Sequence, residues 1–369
     1  MSTTALRIAI IGGGLAGITL ANALVRIPHL DVQVYESAPE FSERGAALGL
    51  SSNALTALQH ILPSAQDLLS KAGAVPMNST RFLLGSGPHA GTLIADLGAQ
   101  EQSLVVHRAS LLQITFQDGS VGAFDAVIGA DGIFSSVRNY VLQDDAEECA
   151  ASPGGFWDSR NVVSFEKVKA TLGEQYFDVD RQYAWMGDGA FLMHDVLENR
   201  TMVQCVVSAV EKDPPQDRKR NLTRESLNET LGSWISGPVG AGMLTLEQSN
   251  PQGYSQWEHK STPTYANGRV CIMGDAAHAT TPWQGAGAGQ AFEDAAVLGA
   301  LLGSTTSAEG IEAAFKAYDI NKDIGLDPDK LRNALATRWA FIFAMDLETH
   351  KQEALEKMRQ IRREEAERK

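Results

Sequence analysis

The stretch that decides the fold is residues 6–17, LRIAIIGGGLAG. Its first half, residues 6–11, is a short apolar run typical of a buried strand, and the apolar spacing over residues 15–27 predicts an amphipathic helix. Between them lies a glycine-rich turn with the spacing GxGxxG. A strand, a tight turn and a helix N-terminus in this order predict a dinucleotide-binding α/β fold.

Each glycine of this pattern has its own task, and an acid further along supports the assignment. Gly12 permits the turn, Gly14 lets a pyrophosphate approach the backbone, and Gly17 lets the helix pack closely on the strand. A second strand is predicted at residues 31–35 and ends at Glu36. An acid at this distance is placed to accept hydrogen bonds from the ribose hydroxyls of a dinucleotide. The alternative is a glycine-rich turn with a surface glutamate.

Two more signatures combine glycine with aspartate. Residues 129–132 read GADG and lead to Arg138, and residues 274–278 read GDAAH and lead into the glycine-studded stretch 285–289. Glycine lets backbone approach a phosphate or sugar closely, and a helix N-terminus attracts the anionic part of such a ligand. With the first signature, these two predict a bound flavin dinucleotide, FAD.

Length, charge and cysteine content exclude several classes of protein. The chain has 369 residues, which suits two domains, and 44% of them are hydrophobic. A net charge of -14 argues against nucleic acid or an anionic membrane as partner. Three scattered cysteines predict neither a disulfide framework nor a metal site. With no targeting segment or membrane span visible, we expect a cytoplasmic protein.

The predicted fold class is α/β, with a three-layer Rossmann-like domain for FAD and NAD(P), an inserted mixed β-sheet substrate domain, and a C-terminal helical region. The nucleotide domain is predicted to be discontinuous, comprising residues 1–75, 100–150 and 264–303. The substrate domain takes residues 76–99 and 151–263, where short strands dominate the pattern, and helices take residues 304–369. Asp118 and Gly119 give a strong hairpin signal just before the GADG signature.

The three signatures in this order resemble those of the FAD-dependent aromatic-ring monooxygenases, and the residues around them are most similar to the fungal salicylate-hydroxylase-like branch. The resemblance covers most of the chain. Carried onto this sequence, it implies FAD contacts from the glycine turn and from the following residues: Glu36, Gly49, Arg108, Asp131, Asp275, Gly287 and Ala288. The alternative for Arg108 is a surface arginine at a strand end.

The resemblance also implies the reaction. FAD would take a hydride from NADH or NADPH and, once reduced, activate O2 for transfer of one oxygen atom to a phenolic ring, salicylate-like or polyketide-derived. Arg160 lies where related sequences place an arginine in the substrate sheet, and it could stabilise a phenolate. His194 is predicted on a strand facing the flavin. For both, a structural role is the alternative, and for His194 it is the favoured one.

The chain departs from this family at three points. Many relatives have a histidine in the stretch 280–285, where this chain has Trp283, and tryptophan cannot act as a base. After Arg108 the family continues with a helix and a strand, whereas only residues 109–114 precede the predicted hairpin here, which is too short for both. A second segment is missing after Asp319. A strand lost from the sheet would loosen the FAD site.

Two rival functions remain open from the sequence. The missing segments favour a non-catalytic or impaired flavin-binding protein, and a flavin halogenase could use the same scaffold, although the Trp-x-Trp-x-Ile-Pro motif expected of one is absent. The apolar stretch 339–345 beside a charged helix could pack within one molecule or across a homodimer.

Overall fold

The structure is a computed structural model that describes residues 5–38, 47–98, 104–107, 124–187, 189–234, 236–246, 252–260, 262–321 and 347–367. The hairpin predicted at residues 118 and 119, Arg108 and the stretch 339–345 lie outside these residues. In the described part the chain forms an α/β fold with three β-sheets, as predicted.

The first sheet contains the strand predicted from residues 6–11. Its members, in chain order, are β1 (Leu6–Ile11), β2 (Leu30–Tyr35), β8 (Ala126–Gly129), β15 (Ala266–Asn267) and β16 (Val270–Ile272). The spatial order is β15-β16-β8-β1-β2, with β16, β8, β1 and β2 parallel to one another. Ile8, Ile10 and Ile128 are fully buried in it. Parallel strands with apolar side chains on both faces are typical of a sheet covered by helices.

Helices from distant parts of the chain cover this sheet and share one hydrophobic core with it. They are α1 (Leu15–Leu24), α2 (Ser52–Ile61), α3 (Ala65–Lys71), α9 (Gly287–Gly303), α10 (Ala308–Asn321) and α11 (Leu347–Glu367). The described C-terminal helices therefore pack on the nucleotide domain, with Phe315, Ala354 and Met358 buried in its core. The short helix α4 (Ser136–Leu142) follows the GADG signature and lies beside β16, and α8 (Asp275–His278), which lies beside α4, contains the last four residues of the GDAAH signature.

The second and largest sheet has eight strands. They are β5 (Ser79–Leu84), β6 (Leu93–Gly98), β9 (Ser152–Ser164), β10 (Gln182–Gly187), β11 (Ala190–Leu197), β12 (Met202–Val210), β13 (Lys219–Asn221) and β14 (Gln252–Glu258), in the spatial order β13-β14-β9-β12-β11-β10-β5-β6. The β10/β5 pair is parallel and the others are antiparallel, so the sheet is mixed, as predicted. The predicted domain boundaries themselves stay a prediction.

One face of this sheet is covered by its own helices, α5 (Phe165–Leu172), α6 (Arg224–Thr230) and α7 (Gly240–Thr245), and forms a second core that includes Trp157, Leu192 and Trp234. We call this the core face. The opposite side is named the open face. A small third sheet is built from β3 (Ala47–Leu50), β7 (Leu104–His107) and β4 (Val75–Pro76).

Candidate active site

The glycine turn after β1 is fixed by close packing at two of its three glycines. Gly12 has φ +109°, and a Cβ there would lie 2.3 Å from the carbonyl oxygen of Ala130. A Cβ on Gly17 would lie 2.0 Å from the carbonyl oxygen of Gly12. Gly14, by contrast, faces open space at the N-terminus of α1, where no side chain caps the helix. The turn therefore presents bare backbone at Gly14 to a ligand.

Glu36 lies at the C-terminal end of β2 and contacts this turn directly. Its Oε2 accepts a hydrogen bond of 2.7 Å from the backbone N–H of Gly13, and its Oε1 accepts one of 2.8 Å from Ala38. Partial burial works to raise the pKa of Glu36, but the backbone hydrogen bonds from Ala38 and Gly13 outweigh it and lower the pKa. Glu36 is therefore a carboxylate at the edge of the turn, where a ribose contact stays a proposal.

All three signatures meet beside this turn. The N–H of Ala130 donates to the carbonyl of Ile11 at 2.7 Å, and the N–H of Met273 donates to the carbonyl of Gly129 at 2.9 Å. Gly274, with φ +57°, lies so close to α1 that a Cβ would be 2.8 Å from the Cβ of Ala16. Segments more than 100 residues apart in sequence thus form one continuous surface.

Asp131 of the GADG signature caps the helix that follows it. Its Oδ2 accepts hydrogen bonds from the N–H groups of Ser136 at 2.8 Å and Val137 at 3.3 Å, and its Oδ1 accepts one from the Ser135 hydroxyl. The carboxylate thereby satisfies donors at the N-terminus of α4. The structure gives Asp131 a structural task that the sequence did not predict, and its contact with FAD stays a proposal.

Arg138 joins the second signature to the third. It is 2% exposed. Its Nη1 donates to the carbonyls of Ala276 at 3.0 Å and Ala277 at 2.9 Å, and its Nη2 donates to Thr262 Oγ1 and to the carbonyl of Cys149, both at 3.0 Å. Burial lowers the pKa of this guanidinium. Sequence reasoning treated Arg138 only as the end of a motif, because its partners lie up to 139 residues away.

Asp275 begins α8, which is held at both ends by Asp294 of α9. Oδ2 of Asp294 accepts a 2.8 Å hydrogen bond from the N–H of Gly274 and lies 2.7 Å from Nε2 of His278. Burial works to lower the pKa of His278, but the adjacent Asp294 carboxylate outweighs it and raises the pKa. His278 thus has a structural role, as a hydrogen-bond partner of Asp294.

The N-terminus of α9 also presents bare backbone. No side chain caps it, and Cβ atoms built on Gly285 or Gly287 would meet nothing within 4 Å. Ala288 is half-buried in the first turn of this helix. Gly289 faces α2, since a Cβ there would lie 3.2 Å from the Cβ of Ala54. A helix of 17 residues therefore directs its positive end at open space.

These features fit FAD. The α1 N-terminus with Gly14 would hold its pyrophosphate, Glu36 its ribose and Asp275 its ribityl hydroxyls, while the α9 N-terminus would lie at the isoalloxazine. When bound, FAD supplies hydride acceptance and oxygen activation. Gly49 lies in β3, where a Cβ would be in ordinary contact with Met77 at 3.8 Å, and its role as an FAD contact stays a prediction.

Arg160 lies on the open face of the large sheet. Residues directly opposite each other on neighbouring strands share a face, and Arg160 pairs with Val206, which pairs with Met193. Its Nε and Nη2 donate to Oδ2 of Asp158 at 3.1 and 2.9 Å, and Gln256 Nε2 donates to Oδ1 of Asp158 at 2.7 Å. Asp158 thereby fixes the direction of a guanidinium that stays partly exposed.

Trp283 reaches this open face from the loop between α8 and α9. Its ring lies 4.3 Å from that of Phe156, tilted by 38°, and 5.7 Å from that of Phe191 in an edge arrangement. The side chain is nevertheless 51% exposed. Trp283 thus links the glycine-rich N-terminus of α9 to the open face, as an aromatic wall at one end of it.

The structure does not bring His194 to that face. His194 pairs with Cys205 and Tyr183, so it lies on the core face, 1% exposed, against the rings of Tyr176 and Phe177. Neither ring nitrogen has a hydrogen-bond partner among the described residues. Burial lowers the pKa of His194 to about 3. The prediction that it faces the flavin therefore disagrees with the structure, because the alternation of β11 turns it the other way.

The next residue, Asp195, lies on the open face and was missed by the sequence reasoning. It is 3% exposed, and its oxygens accept hydrogen bonds from Gln182 Nε2 at 2.9 Å and Gln204 Nε2 at 3.2 Å. Burial raises its pKa to about 6, although the two amides and the charge of Arg160 oppose this. The only feature of the sequence that could have pointed to Asp195 is its position next to His194, a candidate catalytic residue.

Comparisons with known proteins show the family to which the chain is similar. Residues 122–323 match the family described as FAD binding domain, which is more than half of the chain. A salicylate hydroxylase of Pseudomonas putida is 30% identical over 85% of this chain and 81% of its own length. The 6-methylsalicylate 1-monooxygenase atA of Aspergillus terreus is 29% identical over 94% of this chain and 91% of its own length.

A solved salicylate hydroxylase in complex with substrate superposes with a TM-score of 0.76 at 22% identity, covering 96% of this chain and 98% of that one, so it shows the same fold. The chain belongs to the FAD-binding-domain family of flavin-dependent aromatic hydroxylases. It is an oxidoreductase with FAD as its cofactor, and NAD(P)H is the usual co-substrate of this family.

The same comparisons bear on the missing segments. The match to the Aspergillus terreus protein runs over 414 positions and one to a Pseudomonas putida salicylate hydroxylase over 416, both more than the 369 residues of this chain. Both relatives must therefore contain residues with no counterpart here. Where those residues fall stays a prediction from the sequence.

Two features are absent from the residues that the structure describes. None of the helices found there combines the length and apolar character needed to cross a bilayer. In the same part of the chain, no group of three or more histidine, cysteine or acidic residues could hold a metal ion.

Proposed function

We propose that this protein hydroxylates a phenolic aromatic acid, salicylate-like or polyketide-derived, on the open face of its large sheet. In the overall reaction, one oxygen atom of O2 is inserted into an aromatic C–H bond to give a hydroxyl group. The other oxygen atom is reduced to water by the hydride of NAD(P)H and a proton, and NAD(P)+ is released. The observation that carries the proposal is the position of Arg160, on the face that Trp283 connects to the N-terminus of α9.

Arg160 is the proposed anion-binding residue. Asp158 accepts hydrogen bonds from Nε and Nη2 of its guanidinium, and among the described residues no hydrogen-bond partner is found for Nη1, which could donate to a carboxylate or phenolate. A phenolate held in this way is more electron-rich than a neutral phenol, which favours attack by the ring. His194 is not part of this proposal, because it lies on the core face.

Trp283 favours a substrate that stacks against it. Its half-exposed ring offers an apolar surface beside the α9 N-terminus, and aromatic pairs gain about 1 kcal/mol beyond burial. No base is available from this side chain. We therefore propose hydroxylation without the base-assisted loss of a carboxyl group, on a ring larger than that of salicylate as readily as on salicylate itself.

The test is to purify the protein with FAD and follow NAD(P)H oxidation and product formation with phenolic acids and with the same phenols lacking the acid group. Arg160→Met should raise KM for the acids about 10- to 100-fold, since a hydrogen bond to a charged group is worth about 1.5–3 kcal/mol. Neutral phenols should be affected much less, and Arg160→Lys should fall between. Equal effects on both classes would contradict anion binding by Arg160.

The rival function, a non-catalytic flavin-binding protein, is distinguished in the same experiment. Protein replete with FAD that forms no hydroxylated product from any phenol tested would favour it.

A cytoplasmic location and a homodimer also belong to this proposal. The acidic charge of the chain supports the former, and cell fractionation and a mass measurement in solution test the two.

A further inference from the structure

We infer that Asp294 is the positioning residue for Asp275, acting by fixing both ends of the α8 turn with a single carboxylate oxygen. The inference rests on the proposed contact of Asp275 with the ribityl chain of FAD. Asp294 lies two turns into α9, and neither the signatures nor the resemblance pointed to it.

The geometry of α8 explains why such a residue is needed. A helix of four residues has too few internal hydrogen bonds to hold its own shape. Gly274, which precedes it, adopts φ +57° and ψ -142°, a conformation that glycine reaches readily and other residues rarely do. The direction of the Asp275 side chain must therefore be set by contacts from outside the turn.

Asp294 supplies these contacts at the two ends. Its Oδ2 takes the N–H of Gly274 at 2.8 Å on one side of Asp275, and Nε2 of His278 at 2.7 Å on the other. The middle is held independently, because Arg138 and Thr262 bind the carbonyl of Ala277 at 2.9 and 2.7 Å. With its backbone restrained on both sides, Asp275 needs no rearrangement when it meets hydroxyl groups.

The same arrangement connects the two flavin-binding elements of the third signature. Asp294 belongs to the helix whose N-terminus, at Gly287, is proposed to lie at the isoalloxazine. The carboxylate therefore sets the spacing between the ribityl-binding turn and the isoalloxazine-binding helix end. Loss of the carboxylate would disturb this spacing without removing a group that touches FAD.

A matched control lies next to it. Glu293 is on the same helix and is also largely enclosed, but its hydrogen bond is with Asn53 of α2, and within the described residues it feels the charge of His278 without a hydrogen bond to Gly274 or His278. Changing either acid to its amide alters charge and hydrogen bonding while conserving shape. Only the change at Asp294 touches the α8 turn.

The experiment measures FAD release from the holoprotein by the rise in free flavin fluorescence, and FAD affinity by titration of the apoprotein. Asp294→Ala should weaken FAD binding about 10- to 100-fold, Asp294→Asn less, and Glu293→Gln hardly at all. His278→Ala removes one of the two hydrogen bonds that Asp294 makes with the α8 turn, and it provides a second test if Asp294→Ala does not fold. No aromatic substrate is involved, so the result is independent of the hydroxylation test.

The decisive measurement is a double-mutant cycle between Asp294 and Asp275. If Asp294 acts through Asp275, adding Asp294→Ala to Asp275→Ala should lower FAD affinity by less than about twofold further. Full additivity would overturn the inference, as would Asp294→Ala protein that releases FAD at the wild-type rate. Equal losses in Glu293→Gln would also overturn it, because the effect would then belong to the helix.

Discussion

Replacing His194 by phenylalanine should make the protein less sensitive to acid without abolishing hydroxylation. The imidazole lies among the rings of Tyr176, Phe177 and Tyr183, and neither of its nitrogens has a partner among the described residues. Burial lowers its pKa from 6.5 to about 3. The folded protein therefore keeps this histidine neutral at pH values where the unfolded chain binds a proton.

The magnitude follows from proton linkage. Because the folded pKa is depressed, stability is present above the unfolded pKa and is lost as the pH falls below 6.5 towards about 3. The loss from this one group is about 2 kcal/mol between about pH 7 and about pH 5, and it reaches about 5 kcal/mol below about pH 3. In His194→Phe this loss should disappear.

The assay is urea unfolding of both proteins at the two pH values, with the difference between the proteins as the result. The difference matters because burial raises the pKa of the neighbouring Asp195 to about 6, which stabilises the fold as the pH falls through that value and masks the histidine in the wild-type curve alone. His89→Phe, at an exposed position, is the control and should behave as the wild type.

Two results would refute this reasoning. If His194→Phe and the wild type lose the same stability between the two pH values, the histidine is not held neutral by burial. If His194→Phe retains FAD and fold but loses hydroxylation by more than about 100-fold, the size typical of a general acid or base, His194 is catalytic and the core-face placement does not describe the working enzyme.

Two further predictions concern the signatures. Gly17→Ala should destabilise the protein by about 1–3 kcal/mol in urea unfolding even without FAD, because its Cβ would collide with the carbonyl of Gly12. The Cβ of Gly14→Ala would meet open space, so this variant should keep the stability of the fold within about 0.5 kcal/mol of wild type. It should instead weaken FAD binding in a fluorescence titration. Arg138→Met should cost about 3–5 kcal/mol, since it removes four buried hydrogen bonds, among them the one to the carbonyl of Ala276, and Arg138→Lys should cost less. A Tm within a degree or two of wild type for Arg138→Met would contradict this.

Local pattern was enough to predict the elements that are proposed to hold the flavin. The first strand was predicted with the bounds it has in the structure, Leu6–Ile11, since a run of apolar residues before a glycine turn and a helix has few other solutions. The first helix ends at Leu24, three residues before the predicted end. The second predicted strand, at residues 31–35, is one residue longer in the structure, Leu30–Tyr35.

The local sequence pattern could not predict which face of the sheet His194 lies on, and the reason is physical. Strand β11 reads AFLMHDVL and has apolar side chains at both alternate sets of positions, Phe191 and Met193 on one face and Leu192 and Val196 on the other. Period-two alternation cannot choose a face in such a strand. The choice is made by the helices that cover Leu192 and Val196, which are distant in sequence.

The links between the signatures were unpredictable for a related reason. Arg138 and Asp294 act on residues 11 to 139 positions away, mostly through backbone carbonyl and N–H groups that nearly every residue has. A sequence motif identifies the groups that face a ligand, because only certain side chains suit it. The residues that hold those groups in place can contact any backbone and leave no comparable pattern.

Glu36 also anchors the end of strand β2 to the glycine turn. Within the described residues, strand β2 pairs only with β1, and Val32 and Val34 on it are partly buried. An edge strand held from one side frays more easily at its end, which here is the residue proposed to bind the ribose. The hydrogen bond from the N–H of Gly13 to Glu36 anchors that end to the glycine turn. The acid proposed to bind the nucleotide therefore also secures the strand that carries it.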